Sequence, residues 1–298
     1  MSLKLVALGA LLSATLLVSP AFAARQGVLV DDVYTVTVGA EDPDMTLNPD
    51  DVSALGADNT LVKMGKGRLI INCNLGATYD GEIIVREGFL RATCGEFAKG
   101  TGTHLGLGGT TKGTFVEKGA TLELVGASGQ NECANTEPLT FEGAGVDGCG
   151  AVYRVSGCNT GYGLFANSTI TMTGNATVGS KTSGCWFRIR NTAINMNGYD
   201  LTFQNADTAN GFKGGGNSGP VTNPGNIIVA EGAAFCLENQ NSKIVTGTAE
   251  NELILKANSK FVQATAVGAR CKWTLQVDGT AQLTLNANPA TGTYGWDH

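Results

Sequence analysis

Residues 61–93 read LVKMGKGRLIINCNLGATYDGEIIVREGFLRAT, and the fold turns on what GKGR, Gly65 to Arg68, does between two apolar runs. A glycine-rich loop with a lysine cradles phosphate when a helix start follows it, because free N–H groups and the helix dipole then point at the anion. Here the flanks are Leu69-Ile70-Ile71 and Ile83-Ile84-Val85, β-branched runs bounded by Gly or Asn, which read as strand, corner, strand. The stretch is expected to be one rung of a stacked β architecture.

The same unit recurs outward along the chain. An apolar strand, a Gly or Asn, and a second short strand are found around Gly88, Gly119, Gly174, Gly198, Gly232, Asn258 and Gly279. Their separations are 31, 55, 24, 34, 26 and 21 residues, an irregular period that signals a solenoid, with the longest interval being about two periods. A strand that bends sharply into another needs positive φ, which Gly and Asn accept at little steric cost. Asn258, standing where other units carry Gly, points to a left-handed corner. The alternation of the flanking residues suggests that Val85, Val116, Val229 and Val277 stack along the interior. The expected fold is all-β, a right-handed parallel β-helix over residues 61–298, with residues 24–60 as an N-terminal cap over its open edge.

The chain opens with MSLKLVALGALLSATLLVSPAFA. Lys4, the apolar run Leu5 to Val18 and the Ala21-Phe22-Ala23 site form a signal-peptide pattern over residues 1–23. The chain is therefore expected to be exported through the periplasm to the surface or medium, with no membrane span in the mature part. Without the leader it holds 19 basic and 26 acidic groups, a balance that disfavours nucleic acid. Eight cysteines after an export signal favour disulfides. Cys73 and Cys94 lie about one rung apart and could bridge adjacent coils, Cys149 with Cys158 would close a local loop, and Cys236 with Cys271 would span another rung. An unbridged interior cysteine ladder is the rival arrangement. No CxxC occurs and His104 is the sole internal histidine, so neither zinc nor another cofactor is expected.

Residues 61–93 resemble the passenger-associated β-strand repeat of autotransporter proteins. Leu61, Lys63, Gly65, Gly67, Leu69, Ile71, Tyr79, Gly81, Val85, Gly88 and Leu90 fall on that repeat's pattern, and INMNGYDLTF, residues 194–203, is similar to a phrase common in such repeats. The resemblance implies a right-handed parallel β-helix, within the pectate-lyase-like superfold, and a surface-displayed or secreted passenger, often adhesive. No membrane barrel follows LQVDGTAQLTL at 275–285, which leaves export by another route or a truncated product. Eight cysteines are also many for that family.

Polysaccharide lyases and glycoside hydrolases share the parallel β-helix, so an enzyme is the alternative. The sequence assigns no catalytic residue. Arg188-Ile189-Arg190 and Trp296-Asp297-His298 echo polygalacturonase and pectate-lyase elements only distantly, and Glu142, Asp147 and Glu231 would have to meet on one face to cleave sugars. The acidic run Glu41, Asp42, Asp44, Asp50 and Asp51 reads either as a short helix entry, with Asn48 as its cap, or as a calcium site. The stretch with ligand character is CWFRIRN. Alternation puts Trp186, Arg188 and Arg190 on one face, an aromatic plane beside two guanidinium groups suited to an acidic surface glycan or a receptor on a host or neighbouring cell.

Overall fold

The structure is a computed structural model that describes residues 27–48, 51, 55–71, 79–93, 107, 111–125, 137–156, 169–181, 188–189, 193–204, 211–214, 221–239, 250–263 and 274–285. It is a parallel β-solenoid, nearly all strand, built from three ladders.

The first ladder stacks, in order, Val33–Thr37, Thr60–Met64, Ile83–Val85, Thr114–Val116, Leu139–Gly143, the first half of Thr169–Ser180, Ala193–Asn195 and Val221–Thr222. The second stacks Met45–Leu47, Arg68–Ile71, Phe89–Thr93, Thr121–Val125, Val152–Ser156, the second half of Thr169–Ser180, Leu201–Gln204, Ile227–Val229, Glu252–Leu255 and Thr274–Val277. The third runs through Arg188–Ile189, Gly211–Gly214, Ala234–Asn239, Lys260–Gln263 and Gln282–Leu285. Successive partners are as close in sequence as Leu69 and Leu90, 21 residues, and as far as Leu90 and Leu122, 32 residues, because the excess chain leaves between strands while the rung itself stays in register.

Each rung buries alternate side chains on equivalent partners of the rung before. In the first ladder Leu61, Ile83, Leu139, Ile170 and Ile194 form one such column and Val85, Val116, Phe141 and Met172 another, all buried. Because no rung can bury its inner face alone, the column is the unit of stability.

Residues 33–47 already stack as first- and second-ladder strands. The segment that lies on the edge is Val28–Val30, which pairs antiparallel with Val33–Thr35 through a turn whose Asp31 and Asp32 hold φ of 47° and 64°. At the helical entry Asp51 and Leu55 are helical, and the Asp51 carboxylate accepts the Asn48 N–H at 2.9 Å, one arm of a capping box.

The glycine corners divide into two sets. Gly88, Gly119 and Gly198 turn the chain from the first ladder to the second with φ of 68°, 88° and 79°. Gly232 and Asn258 turn it from the second to the third with φ of 68° and 58°. Gly174 is no left-handed corner: it lies inside the unbroken strand Thr169–Ser180, which serves both ladders. Gly279 occupies the turn between Thr274–Val277 and Gln282–Leu285 without a left-handed φ. The expected valine stack is likewise two stacks. Val85 and Val116 pair in the first ladder, whereas Val229 and Val277 flank Leu255 in the second.

Candidate functional site

Parallel register puts residues with the same parity on the same face of every rung, so the outward residues of the second ladder form columns of their own. Arg68 lies opposite Phe89, and Arg91 opposite Glu123. Arg68 spans the Phe89 ring, its guanidinium carbon 4.9 Å from the centroid, and reaches Glu123 in the coil beyond. There its Nε donates to Glu123 Oε2 at 2.7 Å and its Nη2 to Oε1 at 3.2 Å. Arg91 Nε donates to the same Oε2 at 2.8 Å, and Arg68 Nη1 pairs with Asp44 at 3.2 Å. One carboxylate, itself nearly fully buried, thus collects two arginines, and the cluster crosses four successive coils. A second pair, Arg86 Nε to Glu117 Oε1 at 3.1 Å, joins neighbouring corners.

The lysine of the opening motif is wholly buried. It shares an inward column with Val36 and Val85, and its ammonium bends into the corner, where it donates to the carbonyls of Met64, Gly65 and Glu87. Those carbonyls belong to two coils, so Lys63 fastens one corner to the next, and Glu87 closes the arrangement by accepting the Gly65 N–H at 3.2 Å. Burial pulls the Lys63 pKa down to about 8, against the charge of Glu87, which raises it. Gly65 and Gly67 are required here because a Cβ on either would collide with the carbonyl oxygen of Val38 or Gly39.

A third buried group lies where the coil enters the first ladder. Thr114, which takes the place of an aliphatic residue between Ile83 and Leu139, donates its hydroxyl to Glu137 Oε1 at 2.6 Å. Burial pushes Glu137 up to about 8, with the Thr114 hydrogen bond opposing and the Asp80 charge adding. Nearby Tyr79, also buried, donates its hydroxyl to the carbonyls of Asn59 and Glu82 and accepts the Leu61 N–H. Burial holds its pKa well above the usual phenol value.

Cys149 carries a free thiol, so the expected bridge to Cys158 is not formed. The sulfur instead rests 3.5 Å from Thr121 Oγ1, in a loop that Thr121 pins by donating to Gly150 O and accepting the Val146 N–H. Burial raises the thiol's pKa, which keeps it protonated and unreactive near neutrality. Cys73, Cys94, Cys158 and Cys271 lie outside the described residues. Cys236 is described through its backbone alone, paired with Gly211 and Val262.

Of the expected ligand face, Trp186 and Arg190 lie outside the described residues, and Arg188–Ile189 is described as a short strand paired with Gly211 and Phe212. His104 and Asp50 also lie outside. Glu142 and Asp147 sit at the first corner and Glu231 at the second, so the three carboxylates do not share a face. In the acidic run, Asp42 caps the Gly39 N–H at 2.7 Å and Asp44 is held by Arg68, and no cluster with metal-ligand geometry occurs among the described residues.

Sequence reading missed the Arg68–Glu123–Arg91 cluster, whose members are 55 and 32 residues apart. It also missed Glu137 with Thr114. For Lys63 the signal was present, since Leu61 and Lys63 share parity and one points inward. Compared with protein-family models, curated proteins and solved structures, the chain matches none of them at a significant level.

Proposed function

We propose that this chain is an exported β-solenoid passenger, of the kind autotransporter repeat proteins carry, with a structural or adhesive role at or beyond the cell surface. The Arg68–Glu123–Arg91 cluster is the observation that supports the reading most. Its carboxylate is saturated by two guanidinium groups, which commits it to holding coils together and removes it from proton transfer. Lys63 is spent in the same way on corner carbonyls. A passenger of this design presents its flank as a rigid surface, and the strand carrying Trp186, Arg188 and Arg190 is its contact for an acidic glycan or a cell-surface receptor.

Fractionation of expressing cells tests the location, with the chain expected at the surface or in the medium. Retention in the cytoplasm ends the reading. Binding to immobilised acidic glycans, compared between the native chain and Arg188→Ala with Arg190→Ala, tests the contact, and sugar release from the same glycans would replace the adhesive role with an enzymatic one.

A further inference from the structure

The described solenoid has a polar flank and two apolar ends. Among the described residues the large hydrophobic side chains that stand exposed are Val28, Leu29, Val30 and Val33 at one end, Val277 and Leu283 at the other, and Tyr199 between them. At the first end Val28 and Val30 are 62% and 60% exposed on the outermost strand, whose outer edge has no partner strand among the described residues. At the last end Val277 continues the buried Val229–Leu255 column yet is 46% exposed. Uncovered edges and columns of this kind invite strand addition.

Charge identifies the occupant. Residues 27–59, the first coil, contain eight acidic residues and no basic one, whereas residues 253–285, an equal length at the other end, contain four basic residues and one acidic. Two first ends repel each other, and so do two last ends, but a first end and a last end attract.

We infer that the chain associates with a second copy of itself head to tail, the Val28–Val30 hairpin of one copy seated on the open Thr274–Val277 and Gln282–Leu285 edge of the next. Such a contact is heterologous. It leaves one end of each kind free after every addition, so it builds open linear assemblies rather than closed dimers. The rod-like flank, with its paired charges, stays outside the contact.

The test is sedimentation velocity on the protein purified from cells expressing the full chain, over a hundredfold concentration range at low and high salt. The expected result is mass that grows past the dimer with concentration and shrinks on addition of salt. Val28→Lys with Val30→Lys blocks the first end, and Val277→Glu with Leu283→Glu blocks the last, each by adding the charge its partner already carries. Each blocked chain alone is expected to be monomeric, with an unchanged far-ultraviolet spectrum confirming that it folds, and an equimolar mixture of the two is expected to stop at a dimer. A native chain that remains monomeric throughout overturns the inference. So does a blocked chain that still dimerises alone, since that contact would join like ends.

Discussion

The two halves of the solenoid hold the same rung together by different means. In coils up to Val125 long charged side chains reach over the outer face, and Arg68 skips the adjacent coil to bind Glu123. From Asn175 onward short side chains act on the next coil only. Asn175 accepts the Asp200 N–H, Asp200 the Asn226 N–H and Asn226 the Glu252 N–H, at 2.8 to 3.0 Å. Inside, Phe203, Phe235 and Phe261 pack in sequence at 4.7 and 6.0 Å between centroids. The first half therefore couples non-adjacent coils, while the second approaches a nearest-neighbour stack in which stability is a sum of local terms.

That contrast is open to direct attack, beginning with its largest expected effect. Phe235→Ala removes the middle of the aromatic stack and is expected to cost about 3–5 kcal/mol in denaturant unfolding. In a nearest-neighbour half, hydrogen exchange should accelerate locally, around residues 201–263, and leave the first half protected.

Glu137→Gln acts on the first half through pH. The folded carboxyl titrates near 8 and the unfolded one near 4.5, so between those values the folded chain holds an extra proton and the group's contribution to stability falls as pH rises. The variant should flatten that fall, an effect of a few kcal/mol in order of magnitude, while Gln still accepts the Thr114 hydroxyl. Lys63 works in a separate window. Its folded pKa of about 8 lies below the unfolded 10.5, so its contribution rises between those two values, and chemical denaturation across pH 4 to 11 distinguishes the two.

Glu123→Ala leaves two arginines facing each other and is expected to destabilise by roughly 2 kcal/mol, less than a fully enclosed pair because both guanidinium groups are about a quarter exposed. If the charged cluster couples distant coils, exchange should speed up from residues 45 to 125 together. Asn226→Ala deletes one rung of the amide ladder and should cost about 1 kcal/mol, confined to residues 201–255. Asn258→Gly should change stability by no more than about 0.5 kcal/mol, because φ of 58° suits both residues. A larger loss, read from the denaturation midpoint, would assign Asn258 a role beyond its backbone angle.

Much of this architecture could be read locally. Alternation in Val33–Thr37 and in the strands flanking Gly88 is written in neighbouring residues, and so is the left-handed preference that picked out Asn258. The corner phase was not legible. Gly198 and Gly232, 34 residues apart, look like consecutive repeats, yet one turns into the second ladder and the other into the third. Strand–glycine–strand describes any corner of a triangular coil, and nothing in the motif counts sides. The outer cluster was hidden for a related reason, since Arg68 meets Glu123 only once the insertion between Thr93 and Thr114 has been excluded from the rung.

By itself, then, the order of residues decided that the backbone alternates, where it bends with positive φ, and that a lysine of inward parity precedes the opening corner. These are properties of a residue and its immediate neighbours, governed by sterics and parity. Stacking alone decided which bends share a side, that Gly174 would be pulled straight, and which charges meet. Those outcomes depend on how much chain each coil extrudes before it returns to register, a sum over many residues that no short motif encodes.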